Sequence, residues 1–447
     1  MEFYSLKKPK PSNIDSKKII NTLFQKDGRF LHEFSNKMNS PEYLYWDKIR
    51  YKQPAPKGYS REELWMVVKL LRRAISVKTV IKSESGNYFD WVKLNDLEEF
   101  YHEIDMNTGG QLFTTKTDFG RITKQKLLTR GVMEEAIASS QLEGASTSRA
   151  LAKKFLREGR KPQNASEQMI LNTYNANKAL EEGYKDKMMS LELFYELHGM
   201  ITKDTYTPEG EIPRLRKESE AIFVVDKGTG IIFHKAPKIS FVMPELERMI
   251  DFANDKLNHD FIHPVIKAIM LHFWIAYLHP FTDGNGRLAR LIFYWYLLRK
   301  GYWAFSYLPI SKIIKKAPSQ YSMAYVYSEN DDYDMTYFID FNVRKIKLAI
   351  KDFYDYLDKK SLSNKKMNKD AHTKYSLNER QIQLLQYLQG DPDQKASIKT
   401  HMNIYQTSKL TAINDLKELS SLGFLQRKKI GRNIYYYSTD KIKELFK

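Results

Sequence analysis

The 447-residue chain carries 72 Lys and Arg against 54 Asp and Glu, a formal net charge of +18, with 42% hydrophobic and 28% charged residues. Such a length allows about two to four domains, and the basic excess points to an anionic partner without choosing among nucleic acid, nucleotide phosphate and an acidic surface. The absence of cysteine excludes a disulfide framework, cysteine zinc sites and thiol nucleophiles, while the lack of a signal-like N-terminus or a run of about 20 apolar residues makes a cytoplasmic protein with no membrane partner the expectation.

In chain order, the first dozen residues read as a basic arm. "KQPAPKG" is a turn-rich connector, and "SREELWMVVKLLRRA" follows with Ser60 and Glu63 spaced as a capping box. A helix is predicted from about Lys124 to Leu142, ended by Gly144. "ALAKKFLREG", "ASEQMILNTYNANKALEEG" and "SLELFYELHGMIT" have the apolar period of further helices. The clearest strand signal is Ile222–Val225 and Ile231–Phe233 flanking "DKGTG", a hairpin. Helices resume to about residue 357. The lysine-rich "DKKSLSNKKMNKDAH" at 358–372 is expected to be a linker. Beyond it, three short helices and two strands around a glycine turn have the order of a winged helix, a helix-turn-helix variant.

The most apolar region, "PVIKAIMLHFWIAYL" followed by "LIFYWYLL", is interrupted at 279–290 by "HPFTDGNGRLAR". Pro264 suits the first position of a helix that ends at His279. Gly284 and Gly286 permit positive φ and close backbone approach, so successive N–H groups can form an anion nest at the start of the next helix. Arg287 and Arg290 emerge three residues apart with forked donors suited to phosphate. Asp283 is a hard oxygen ligand appropriate to Mg²⁺ on phosphates. His279 is the nearby group able to take a proton near neutral pH.

This stretch resembles the signature of the Fic family, His-x-Phe-x-Asp/Glu-Gly-Asn-Gly-Arg-x-x-Arg, at every defined position. The resemblance extends over roughly residues 130–355 and implies a mainly α-helical fold: a Fic-type core with a small hairpin flap, here followed by a winged helix-turn-helix. The expected division is an N-terminal helical region at 1–125, the core at 126–357, a linker at 358–372 and the winged helix at 373–447. The resemblance further implies AMP transfer from ATP to a Tyr, Ser or Thr hydroxyl of a target protein. His279 would be the general base, Asp283 the Mg²⁺ ligand and Phe281 a buried anchor. Gly284, Asn285 and Gly286 would hold the inner phosphates, with Arg287 and Arg290 on the outer ones.

"SSQLEG" at 139–144 resembles the family's inhibitory motif, which would pair Glu143 with Arg290 and displace the γ-phosphate. In some relatives the same glutamate assists AMP removal, so self-modification and the reverse reaction belong to the expectation. The hairpin resembles the family's flap, which aligns a target segment by strand addition. Ile232, Phe233 and His234 fall on that edge, and by position the resemblance implies that Tyr321 and Asn330 would contact adenine. Homodimerisation is common in the family.

Other readings compete at particular residues. His272 reads as a packed core histidine, and His259 with His263 has metal-like spacing without a third ligand. Residues 370–447 hold 13 Lys and Arg against 8 Asp and Glu, a modest excess for a DNA reader. Lys409, Lys417, Arg427, Lys428, Lys429 and Arg432 are its phosphate-contact candidates, though such modules also dock proteins. The rival to the enzyme is therefore a nucleotide-sensing, DNA-binding transcriptional regulator.

Overall fold

The structure, a computed structural model, describes residues 2–442 apart from 24, 26–27, 110–120, 208–209, 227, 258–259, 390–394 and 432. His259 and Arg432 lie outside the described residues. The fold is mainly α-helical. Helices α1 (Ser16–Leu23), α2 (Arg29–Asn39), α3 (Trp46–Ile49) and α4 (Arg61–Ile75) lead into the antiparallel pair β1 (Ser76–Lys82) and β2 (Tyr88–Val92), then α5 (Asp96–Ile104). Next come α6 (Arg121–Leu142), α7 (Arg149–Glu158), α8 (Ala165–Glu181) and α9 (Leu191–Thr202). The hairpin β3 (Phe223–Val225) and β4 (Ile232–Lys235) precedes α10 (Ile239–Ala253), α11 (Pro264–Leu278) and α12 (Asn285–Arg299). After α13 (Ile310–Ile314), α14 (Pro318–Asn330) and α15 (Thr336–Tyr375), the chain ends with α16 (Glu379–Gln389), β5 (Lys395–Ala396), α17 (Ile398–Tyr405), α18 (Lys409–Ser421), β6 (Leu425–Ile430) and β7 (Asn433–Ser438).

Two compact units result: residues 1–110, 135–147 and 162–348 form one, and 111–134, 148–161 and 349–447 the other. The larger is organised around α11 and α12. Every residue from Val265 to Ile275 is buried, as is every residue from Arg287 to Leu298. A helix apolar on all sides must be surrounded by others. Trp274 and Trp295 are fully enclosed; such side chains contribute about 1.5–3 kcal/mol each. Pro264 occupies the first turn of α11, and the α4 capping box forms as the sequence predicts, Ser60 accepting from Glu63 N–H and Glu63 from Ser60 N–H.

Two expectations change. Residues 358–372, expected as a linker, belong to the unbroken helix α15. The stretch contains neither Gly nor Pro, so nothing in its backbone chemistry stops a helix. The β1–β2 hairpin was not anticipated, although "SVKTVIK" alternates β-branched residues ahead of "SESGN".

In the smaller unit the predicted order of three helices and two strands is present, with β5 adding to give the sheet order β5-β7-β6. Leu385, Leu416, Leu419 and Phe424 are central to its core. Asp415 ties the helices together: its carboxylate accepts from the Arg380 guanidinium at 2.8 Å, Asn378 at 3.0 Å and buried His401 Nε2 at 3.0 Å. Burial pushes the Asp415 carboxyl up, but these donors outweigh it and hold the group well below the usual carboxylate range. A depressed folded-state value stabilises above the unfolded one, so this contribution is present above about pH 4 and is lost on acidification. Asp415→Ala leaves buried donors unpaired and is expected to cost about 3–5 kcal/mol. A separate low-temperature unfolding transition in circular dichroism, with the larger unit intact, is the outcome that checks it.

Candidate active site

The motif interrupts the core as a tight loop between α11 and α12, held by side chains. His279 closes α11 in the left-handed region, φ 47° and ψ 57°, with its N–H donating to Ile275 O at 2.9 Å. Gly284, at φ 86°, opens α12. A Cβ there would fall 2.8 Å from Thr202 Cγ2, so the position demands glycine both conformationally and sterically. Phe281 is buried, stacked 3.5 Å from the His198 ring and 5.6 Å from Phe194, which is the anchoring the resemblance implies.

The polar residues divide between bracing the loop and facing its cradle. Asn285 is buried, and its side chain pairs with the backbone of Phe281 in both directions, at 3.0 and 2.8 Å. Its short side chain is thus used within the loop, leaving its backbone for an external anion. Arg287 is 1% exposed. It donates to Ile201 O at 2.7 Å and Asp283 Oδ2 at 2.9 Å, lying beneath the loop rather than projecting from it with Arg290. Asp283 keeps a third of its side chain exposed.

Arg290 is held by Ser139 and Glu143, at and just beyond the end of α6. Its Nε donates to Ser139 Oγ at 2.8 Å and its Nη2 to Ser139 O at 3.0 Å and Glu143 Oε1 at 2.7 Å. Burial pushes the Glu143 carboxyl up, yet Arg290, Arg287 and His279 around it bring it below its ordinary value. The carboxylate lies over the first turn of α12: a Cβ added to Gly286 would come within 2.1 Å of Glu143 Oε1. An anion therefore occupies the place where α12 presents its free amides and positive dipole end. Arg287 Nε and Arg290 Nη1 are buried without a hydrogen-bond partner among the described residues. A buried donor left in this state on Arg290, the guanidinium that already pairs with Glu143, favours an anionic ligand with more oxygens than one carboxylate supplies. The residues fit a nucleotide triphosphate.

His279 is half-buried. Its Nδ1 lies 3.1 Å from Ala276 O; a carbonyl only accepts, so Nδ1 carries the proton and Nε2 is the bare, basic nitrogen. Burial, and then the neighbouring His234, push its pKa down to about 4. Neutral imidazole with a free Nε2 is the form that accepts a proton from an alcohol. For Mg²⁺, Asp283 supplies a single carboxylate, and no cluster of three or more metal-binding side chains exists among the described residues. A single carboxylate completed by substrate phosphates is an ordinary Mg²⁺ arrangement.

The remaining predicted residues are dispersed. Ile232 is buried in the flap and Phe233 half-buried. His234 turns inward: its Nε2 donates to Tyr277 O at 2.8 Å and its Nδ1 to Glu329 at 2.7 Å, so both nitrogens are committed. Tyr321 lies beside Arg290 and bonds His272 Nε2 at 2.8 Å. Asn330 is exposed at the end of α14, its amide donating to Val326 O. His272 is buried in the core, as read from the sequence. His263 caps α11 and pairs with Asp105 at 3.1 Å.

Two residues were missed. Arg216, 3% exposed, donates to His279 O at 2.8 Å and Leu278 O at 3.1 Å, satisfying the end of α11. His198 Nε2 donates to Asp283 O at 2.9 Å. Neither has a spacing signal, since both approach the motif from segments over 60 residues away.

Residues 188–297 match the family model described as the Fic/DOC family. The chain carries a Fic/DOC domain. It is 30% identical over 121 residues to the protein adenylyltransferase Fic of Nematostella vectensis, covering 26% of this chain and 25% of that one. With protein adenylyltransferase fic-1 of Caenorhabditis elegans the identity is 39% over 62 residues, 14% of this chain and 12% of the relative. The chain thus spans a quarter or less of the curated relatives it matches here. A Fic family protein from Desulfovibrio desulfuricans G20 superposes with a TM-score of 0.47 at 18% identity, over 77% of this chain and 95% of that one.

A titration follows from the site. His279 should protonate near pH 4 rather than at the unfolded value near 6.5, as read by NMR of histidine-labelled protein. Because the folded value is the lower one, native stability contributed by this residue falls as pH drops from about 6.5 towards 4. Glu143→Gly removes a charge that favours the imidazolium, so the value should fall further; a rise towards 6.5 would contradict the burial that sets it.

Proposed function

We propose that the chain is a protein adenylyltransferase restrained by Glu143. The observation that carries this reading is a carboxylate resting on Gly286 and paired with Arg290 at the first turn of α12. The names of the curated relatives agree with it. In this reading ATP supplies the AMP group and the negative charge that the cradle neutralises, which a Mg²⁺ held by Asp283 would help to offset. The α12 amides and Gly286 orient the phosphates. Arg290 binds the outer ones once Glu143 withdraws, while Arg287 fixes Asp283 and the loop. His279 Nε2 takes the proton of a Tyr, Ser or Thr hydroxyl of the target protein as that oxygen bonds to the α-phosphorus and the bond to pyrophosphate, the leaving group, breaks. Catalysis of this kind rests on positioning and charge stabilisation rather than on covalent chemistry by the protein.

Autoinhibition follows from competition for Arg290. With Glu143 bound, one of its donors is filled and the carboxylate repels a triphosphate; removing it frees both the donor and the space. The same glutamate could instead orient a water for AMP removal, so forward and reverse reactions would be set by its position.

A second reading is favoured by one specific observation. Lys409, Lys417, Arg427, Lys428 and Lys429 are all exposed on α18 and β6, the surface a winged helix would present to DNA phosphates. Incubation with α-labelled ATP and Mg²⁺ separates the two. As an enzyme, Glu143→Gly protein should label itself or added protein about tenfold or more faster than the unmodified chain, since loss of about 1.4 kcal/mol of restraint suffices. Adding His279→Ala should lower that rate by about 10²–10⁴, the range of general-base contributions. No label in Glu143→Gly, together with salt-dependent, sequence-selective duplex binding, would favour the regulator.

A further inference from the structure

The flap edge is already occupied. Residues 2–4 lie along β4 on the side away from β3, with Phe3 paired in parallel to Ile232. Ile232 N–H donates to Glu2 O at 2.9 Å, and Tyr4 N–H donates to Ile232 O at 2.8 Å. Side chains fix the register on both faces. The Phe3 ring meets Phe223 at 6.3 Å, and the Tyr4 ring meets Phe233 edge-on at 5.5 Å. Further along, Leu6 is buried and the Tyr45 hydroxyl donates to Lys7 O at 3.1 Å.

This is strand addition, with the chain's own N-terminal arm as the added strand. We infer that residues 2–7 are an intramolecular stand-in for the target segment, and that a target must displace them to reach His279. The inference rests on the reading of β4 as the edge that aligns the target. The hold is short: a single bridge and two backbone hydrogen bonds, with Phe3 53% exposed. It is therefore built to yield to a longer or better-matched segment. The arm also describes its competitor: an extended stretch presenting a backbone acceptor and donor two residues apart to Ile232, with aromatic or large apolar side chains that reach Phe223 and Phe233.

The test uses a fluorescent peptide of residues 1–10 as the probe and the chain lacking residues 2–7 as the receptor, its folding verified by an unchanged melting profile. A tethered arm acts at an effective concentration of order millimolar. A peptide that binds the shortened chain with a Kd of about 0.1 mM or tighter should therefore bind the intact chain about tenfold more weakly. Ile232→Pro in the shortened chain, which removes the N–H that holds Glu2 O, should abolish binding. Equal binding to both chains, or none to the shortened chain up to 1 mM, an arbitrary ceiling of about the effective concentration, would overturn the inference. Should the shortened chain melt early, Tyr4→Pro in the full chain serves instead. It deletes the Tyr4 donor and should raise hydrogen exchange at the Ile232 amide; unchanged protection there refutes the arm. Transfer activity separates the two layers. Peptide binding without any AMP transfer sinks the adenylyltransferase reading while leaving the arm in place. Transfer in a Glu143→Gly background that is unaffected by arm removal sinks the arm while leaving the enzyme.

Discussion

The ion pair between Arg290 and Glu143 is the contact on which the rest of the site depends. Arg290 is carried on α12, buried at every residue from Arg287 to Leu298, and a guanidinium cannot shed its charge to make burial cheaper. It must be paired. Ser139 satisfies part of it through side chain and backbone, but neither group is charged. Glu143 supplies the missing negative charge at 2.7 Å. A phosphate could do the same, with more oxygens to offer the guanidinium. Thus the electrostatics that fold α12 into an apolar core are those that create an anion site at its start.

Around that pair the loop is rigid because each strut satisfies backbone polar groups that water cannot reach. Arg216 takes the carbonyls that end α11, Asn285 both polar groups of Phe281, His198 the carbonyl of Asp283, and Arg287 the carbonyl that nearly ends α9. Each is buried, so replacing any one strands a partner at about 1–3 kcal/mol. The result is a preorganised cradle whose amides need no rearrangement to receive charge, which is where electrostatic catalysis draws its strength. His279 inherits its depressed pKa from the same enclosure.

How much of this was legible depended on distance along the chain. Contacts within one element or turn were readable: the α4 capping box, Pro264 opening α11, the β3–β4 hairpin around its glycine turn, and the left-handed Gly284 of the motif, whereas Gly286 is helical. Each is a local rule with a local signature. The helix through 358–372 was misread because charge and polarity suggested a linker, although helix formation asks only for the absence of breakers. Within the motif, spacing put Arg287 and Arg290 on one side of a turn but could not say what lay against that side. Arg290 faces Ser139 and Glu143, whereas Arg287 faces the end of α9. Arg216 and His198 were invisible for the same reason: their partners are backbone carbonyls, which every residue possesses and no sequence marks.

A polar cradle and an unpaired strand edge are both costly when left empty, the first through buried donors and the second through exposed backbone groups. This chain fills each with a piece of itself: Glu143 over Gly286, and residues 2–4 along Ile232. Restraint of the kind proposed needs no separate origin. Any local segment that stabilises the empty site by supplying an anion, or a strand, necessarily competes with the ligand that uses the same groups. Its strength is bounded from both sides, because a filler held too tightly would exclude the ligand and one held too loosely would not stabilise the fold. The geometry here has that intermediate character: one of Arg290's buried donors is left unused by Glu143, and the arm's strand pairing is a single bridge. A triphosphate and a longer strand would each complete what the chain's own segment leaves unfinished, and that difference in completeness is the free energy available to drive exchange.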